Sequence, residues 1–257
     1  MAERSFETLL PRISPNVPGC PQALILQTIR DAAVRMCEQT LAWRHVEPKF
    51  DLQPGVSEYN YRKPINTEVH AVFQTTVNDY PLDRLTLEQA LELYPQWVDL
   101  YSGLTADEVW QNAPPSGYNT NTFNGELLNG NTDAVKIPES ALEDASEPRA
   151  MCQITPDKYV VLPLPDDEKP YTIRMFYALK PKRNAEGMED AILNELEDII
   201  FHSTLEKLLI MPDVSWGDRE LASYHARRAV SYAMERRARA NLGNQRASAS
   251  VQLRPWA

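Results

Sequence analysis

Residues 188–243, MEDAILNELEDIIFHSTLEKLLIMPDVSWGDRELASYHARRAVSYAMERRARANLG, read as two long helices joined by a short turn. From Met188 to Met211, Ile192, Leu196, Ile199, Ser203 and Leu208 recur at helical spacing, which predicts a long helix with one inner stripe. Pro212 stops it, because proline has no N–H to donate and its ring clashes with the preceding turn. Ser215-Trp216-Gly217-Asp218 then reads as a turn and cap, opening a second helix to about Leu242-Gly243. Its inner face is Ala222, Ala226, Ala229 and Ala233, a seam of small residues on which another helix can pack closely.

Working outward, Pro21 suits a first helical turn, and Leu26, Ile29, Ala33, Met36/Cys37 and Leu41 mark a third long helix from Gln22 to Trp43. Residues 1–19, with prolines at 11, 15 and 18, read as irregular. Arg44–Leu52 and Ser57–Arg62 flank Pro54-Gly55 and read as a hairpin. Glu68–Val77 is a strand by its β-branched content, and Leu85–Leu93 returns to helical spacing. Ala150–Ile154, Tyr159–Leu162 and Tyr171–Leu179 are three further strands; the last places Tyr171, Ile173, Met175 and Tyr177 on one face. Ser102–Pro148, long, polar and rich in asparagine, reads as an insertion, either functional or partly disordered, with a short helix or strand of its own. The expected class is α+β: a helical bundle from the N-terminal and two C-terminal helices, packed with a central antiparallel β region, and an extended tail.

The 257 residues carry a formal charge of −10. Arg219–Ala257 holds eight arginines, no lysine and two glutamates, so this end is +6 and the first 218 residues sum to −16. Such block asymmetry marks an interaction segment, with nucleic acid, membrane or protein as the candidate partner. No apolar run reaches the roughly 18 residues needed to span a bilayer, and the first residues lack a signal peptide's apolar stretch. Cys20, Cys37 and Cys152 have no metal-ligand spacing and read as reduced thiols.

Catalytic motifs are missing from the sequence: it has no glycine-rich phosphate loop, no Gly-x-Ser-x-Gly and no His-Glu-x-x-His. His45, His70, His202 and His225 are scattered, and each reads as a surface or structural histidine more readily than as a ligand. Asp166-Asp167-Glu168 and Glu195, Glu197 and Asp198 read as solvated carboxylates rather than an acid–base pair. The expectation is therefore no enzyme, no cofactor and no metal. Arg227, Arg228, Arg236, Arg237 and Arg239 admit two readings, a solvated face or a subunit interface that uses arginine's planar fork. Trp256 either packs back on its own domain or anchors an interface.

The order of motifs resembles the head–tail adaptor (connector) proteins of tailed bacteriophages. The likeness is carried by Ser5-Phe6-Glu7-Thr8-Leu9-Leu10-Pro11-Arg12-Ile13, Val17-Pro18-Gly19-Cys20-Pro21 and a helix ending Leu41-Ala42-Trp43-Arg44. It continues in Val161-Leu162-Pro163-Leu164-Pro165, Leu179-Lys180-Pro181, Leu208-Leu209-Ile210-Met211-Pro212 and Trp216, so it covers about residues 5–97 and 147–257. The resemblance implies an adaptor domain over 1–243 and a docking tail over 244–257. It further implies a dodecameric ring beneath the portal protein, with a downstream tail or nozzle protein below and genomic DNA passing through without specific binding. Arg246, Val251, Leu253, Arg254, Pro255 and Trp256 would then dock on the portal, and the virion's head–tail interface would be the location. On the same reading the acidic body lines or flanks the DNA path, or serves solubility. The alternative from a different class is a nucleic-acid-binding regulator using the arginine-rich helix. A hydrolase using a carboxylate pair has no residue nominated for it.

Overall fold

A computed structural model describes residues 3–54, 56, 58–94 and 145–242. The class is α+β: among the described residues there are five helices, three of them long and packed together, and mostly antiparallel sheets. The chain divides into two compact units, one formed by residues 1–44, 64–70 and 178–257 and the other by 45–63 and 71–177. The insertion expected over 102–147 falls almost wholly outside the described residues, as does the tail from 243 onward.

The first unit is built on three long helices. Its chain starts with strand β1 (Glu3–Ser5), a 3₁₀ turn (Phe6–Leu9), the short helix α1 (Leu10–Ile13) and a second 3₁₀ turn (Ser14–Asn16). This corrects the irregular reading of residues 1–19. Phe6, Leu9, Ile13 and Val17 are buried, and their spacing of three and four is itself helical. The Ser5 hydroxyl caps the first turn by accepting the Glu7 N–H (3.2 Å), and Pro11 sits where no donor is needed.

Helix α2 (Gln22–Thr40) buries Ile25, Ile29, Ala32, Ala33, Met36 and Cys37. The inner stripe thus centres on Ile25 rather than Leu26. The helix ends three residues before the expected Trp43, because Leu41 turns left-handed (φ 54°) and its N–H closes on the Cys37 carbonyl at 3.0 Å. Trp43 then packs into the unit and donates its indole N–H to Glu189 (3.2 Å).

Strand β11 (Gly187–Glu189) pairs antiparallel with β1, Arg4 opposite Met188, so Met188 belongs to a strand and not to a helix. Helix α4 (Asp190–Leu209) follows and buries Leu193, Leu196, Ile199, Ile200, Ser203, Leu205 and Leu208. Helix α5 (Arg219–Leu242) buries Ala222, Ala229 and Ala233, with Ala226 half-buried, as the small-residue seam predicts. The turn between them is closed by the Asp218 N–H on the Leu209 carbonyl (2.9 Å), and Asp213 is left-handed at φ 57°.

Asp218 also caps α5: its Oδ1 accepts the Leu221 N–H at 3.0 Å. Asp218→Ala leaves that donor to water and removes a negative charge from the helix's positive end. It should cost about 1 kcal/mol, read as a lower urea midpoint with unchanged slope, while Asp218→Asn retains most of the stability. A full 1 kcal/mol loss in the asparagine variant would assign the effect to charge alone.

The second unit is mainly sheet. Its strands are β2 (Arg44–Val46), β3 (Phe50–Asp51), β4 (Glu58–Asn60), β5 (Thr67–Val77), β6 (Tyr80–Pro81), β7 (Asp83–Leu85), β8 (Ala150–Thr155), β9 (Lys158–Leu162) and β10 (Thr172–Pro181). The unit boundaries fall inside β2, β5 and β10. One sheet runs β2-β10-β5-β6 with β3 beside β10, and the other runs β4-β9-β8-β7. The hairpin expected around Pro54-Gly55 is not formed. Phe50–Asp51 pairs with β10 and Glu58–Asn60 with β9, so the two arms go to different sheets. The Tyr59 hydroxyl accounts for this: it bonds the Gln53 N–H and the Val56 carbonyl (3.1 and 2.8 Å), holding the bend without a ladder.

The β region is also not wholly antiparallel, since β7 runs parallel to β8. Hairpins are formed instead by β5–β6, turned by Asn78 and Asp79 at φ 49° and 69°, and by β8–β9. Helix α3 (Leu87–Leu93) opens with a complete capping box, Thr86 bonding the Gln89 backbone and Gln89 the Thr86 backbone. Along β10 and the residue that precedes it, Tyr171, Ile173, Met175 and Tyr177 are buried while Thr172, Arg174 and Phe176 are half-exposed, as the period-2 pattern requires.

Candidate interaction surface

The arginine-rich helix α5 does not present its arginines as one field. Arg236 lies on the bundle side, where its guanidinium meets Glu195 of α4 at 2.9 Å. Arg239 pairs with Glu235 one turn back, and Arg228 lies over the Tyr224 ring, 5.6 Å from its centre. Arg227 reaches back to the Ser223 carbonyl (3.3 Å) and has no acidic partner among the described residues. Arg237 likewise forms no ion pair among the described residues. Between these last two arginines stand Val230 and Met234, 49% and 68% exposed. At about 100° per residue, Arg227, Val230, Met234 and Arg237 share a flank about 80° wide. Arg246, Val251, Leu253, Arg254, Pro255 and Trp256 lie outside the described residues.

Charge divides with the two units. The sheet unit contains 20 acidic and 9 basic residues, a net −11, and the helical unit 16 acidic and 17 basic, a net +1. The acidity of the first 218 residues is thus shared: residues 219–257 carry +6, which leaves −5 on the rest of the helical unit beside the −11 of the sheet unit.

Two polar clusters went unread in the sequence. In the bundle, His202 of α4 and His225 of α5 meet with their Nδ1 atoms 2.7 Å apart. Such a distance needs one proton between two neutral rings, so one Nδ1–H donates to the other Nδ1. Burial, then the neighbouring His225, pushes His202 down to about 4, and burial also lowers His225. The two positions are equidistant from Asp213-Val214 in the connecting turn, which is the signal that pairs them in a helical hairpin. Phe201, Tyr224 and Tyr232 ring the pair, and Arg12 stacks on Phe201 while holding Glu197 and Asp198.

In the sheet unit Glu47 is 1% exposed, and burial pushes its carboxyl up to about 7. Its Oε1 accepts the Arg62 N–H (3.0 Å), and Tyr61, Tyr159 and Tyr177 stack around it with ring centres 4.8 and 5.3 Å apart. Glu47 Oε2 and the hydroxyls of Tyr61 and Tyr159 are buried with no hydrogen-bond partner among the described residues. A perturbed carboxyl is a candidate for chemistry only where substrate can reach it. This one is sealed beneath buried tyrosines, so it belongs to the core.

Four of the other candidate carboxylates are engaged locally. Asp166 takes the Tyr171 hydroxyl (2.9 Å) and the Glu168 N–H (3.1 Å), while Glu195, Glu197 and Asp198 hold arginines. An open groove of about 540 Å³ lies along Leu82, Arg84, Leu85, Met151 and Gln153. Arg84 there bonds the Val72 carbonyl and Thr86 caps α3, so its polar groups serve the fold. No group of three or more metal-ligating side chains occurs among the described residues, and no described helix is long and apolar enough to cross a membrane. All three cysteines are free, and burial raises Cys37 to about 12. The surface that stands out is therefore the α5 flank, which offers two exposed apolar side chains between two arginines that form no ion pair among the described residues. No protein-family model matches the chain, and no curated protein matches it significantly.

Proposed function

We propose that this chain is a structural adaptor of a tailed bacteriophage virion, assembling as a ring under the portal protein and giving the downstream tail or nozzle protein its attachment site. The observation that carries the reading is the α5 flank, with Val230 and Met234 exposed between Arg227 and Arg237. Arginine beside exposed apolar residues is the composition of protein–protein interfaces, where its fork pairs with carboxylates and its stem covers apolar area. A helix reading DNA would instead pair its cations with polar base readers along one face. The acidic composition of residues 45–63 and 71–177, net −11 in the sequence with −7 of it in residues 95–144 outside the described residues, supports the same reading, because negative charge repels phosphates and lets genomic DNA pass without binding. In a ring each modest contact is repeated by symmetry, so a short arm per subunit suffices to hold the portal.

The arm, residues 244–257, ends in Arg254, Pro255 and Trp256 and supplies the portal contact in this reading. Electron micrographs and sedimentation of the purified chain mixed with its portal protein should show a ring seated on the portal. The chain lacking 244–257 should lose that association. Undiminished portal binding by the truncated chain overturns the arm's role. Tight, salt-sensitive DNA binding by the isolated chain, with no ring on the portal, moves the function to nucleic-acid regulation.

A further inference from the structure

A second helix in the structure carries the complement of the α5 flank. Helix α3 exposes Leu87 (48%) and Leu91 (36%) one turn apart, and Glu88 and Glu92 follow them on the adjoining side. Ala90 alone of the helix is buried, against Ala150, Cys152, Val160 and Leu162, so the leucine–glutamate side faces away from its own core. Neither glutamate forms an ion pair among the described residues. Two apolar side chains one turn apart with acidic neighbours on α3 thus stand beside two apolar side chains one turn apart with basic neighbours on α5. Both faces are narrow and of similar apolar extent, and their charges are opposite.

We infer that the α5 flank of one copy docks on the α3 face of a second copy, Val230 and Met234 against Leu87 and Leu91, with Arg227 and Arg237 meeting Glu88 and Glu92. This rests on the ring reading and specifies its subunit contact. The occupant is a second copy because charge complementarity holds between two faces of this same chain. The two faces are different surfaces, so the contact is heterologous, and a heterologous contact that closes generates a ring rather than a dimer. The contact narrows the interface from five arginines to two. Arg236, Arg239 and Arg228 already have partners in their own chain.

The test reverses charge on each face separately. One variant combines Arg227→Glu with Arg237→Glu, and the other combines Glu88→Arg with Glu92→Arg. All four side chains are exposed, so folding, checked by circular dichroism and melting, should be unchanged. Masses are read by mass photometry alone and on the portal protein. The wild-type chain should form rings, and each variant alone should need on the order of a hundredfold higher concentration to assemble. Mixed in equal amounts the two variants should recover rings of alternating copies, because each altered face now meets an oppositely charged one. Rings formed unimpaired by either variant overturn the docking while leaving the ring reading intact. Two defective variants that fail to rescue each other also overturn it, assigning the faces to other occupants such as the portal or residues 95–144 of the same chain. A wild-type chain that never forms rings removes both readings.

Discussion

Gly187→Ala should lower stability by about 3 kcal/mol, the largest loss expected from adding a methyl group at any described glycine. A Cβ at Gly187 would overlap the Arg4 carbonyl, with its carbon at 2.9 Å and the Ser5 Cα at 3.1 Å. These are backbone atoms of the paired strand, Ser5 lying opposite Gly187, so no side-chain rotation relieves the contact. The β1–β11 ladder must shift, and with it the Phe6 N–H bond to the Glu186 carbonyl (3.0 Å) and the seating of Phe6 and Leu9. Partial loss of two buried side chains accounts for the magnitude. In thermal melts the variant should unfold roughly 6 to 12 °C below the wild type. A truncation lacking residues 1–4 supplies the check. Without Arg4, whose carbonyl makes the closest contact, the alanine should cost less than about 1 kcal/mol, a strong non-additivity between neighbours. An equal penalty in full-length and truncated chains would place the strain elsewhere.

The helical unit was the most legible part of the sequence, because its evidence is local. Pro212 and Asp218 delimit two helices by their own chemistry, and Ala222, Ala226, Ala229 and Ala233 name the packing face without reference to any partner. The strand alternation of β10 was read for the same reason. What was missed depends on pairing across distance. Pro54-Gly55 is a turn signal, but the flanking segments choose β10 and β9 because a tyrosine hydroxyl, remote from the ladder, holds the bend. Asn78-Asp79, the turn that does close a hairpin, lacks the glycine that usually announces one. The strand nature of Gly187–Glu189 is set by residues 3–5, more than 180 positions away in sequence.

The candidate surface divides in the same manner. Sequence marked the arginines of α5 as a set. Their separation into paired and unpaired members follows from where Glu195, Glu235 and Tyr224 stand, and only Glu235 and Tyr224 lie one turn away on the same helix. In the sequence Leu85–Leu93 reads as helical spacing, with neither Leu87 nor Leu91 singled out. Their exposure follows from Ala90 taking the buried position in α3.

Glu47→Gln should stabilise the protein at alkaline pH by about 3 kcal/mol, an unusual gain for a single polar substitution. The Glu47 carboxyl is raised from its ordinary 4.5 to about 7, chiefly by burial. A raised carboxyl binds its proton more tightly in the folded state, so its favourable contribution is complete below pH 4.5 and is lost as pH rises through 7. Glutamine keeps the oxygen that accepts the Arg62 N–H and cannot ionise. The histidine pair has the opposite sign. His202 is lowered from 6.5 to about 4, so its contribution is present above pH 6.5 and lost toward pH 4. Partial exposure limits that second effect to about 1 to 2 kcal/mol. Between pH 4.5 and 6.5 the two slopes therefore oppose, and the wild-type stability profile should be nearly flat. In the glutamine variant the carboxyl slope is gone, and stability should climb from pH 4 to 6.5 and then hold level to pH 8. Urea unfolding at half-unit pH intervals reads this directly. A variant that tracks the wild type at every pH, or is weaker at pH 8, would mean that Glu47 is not held as a buried acid.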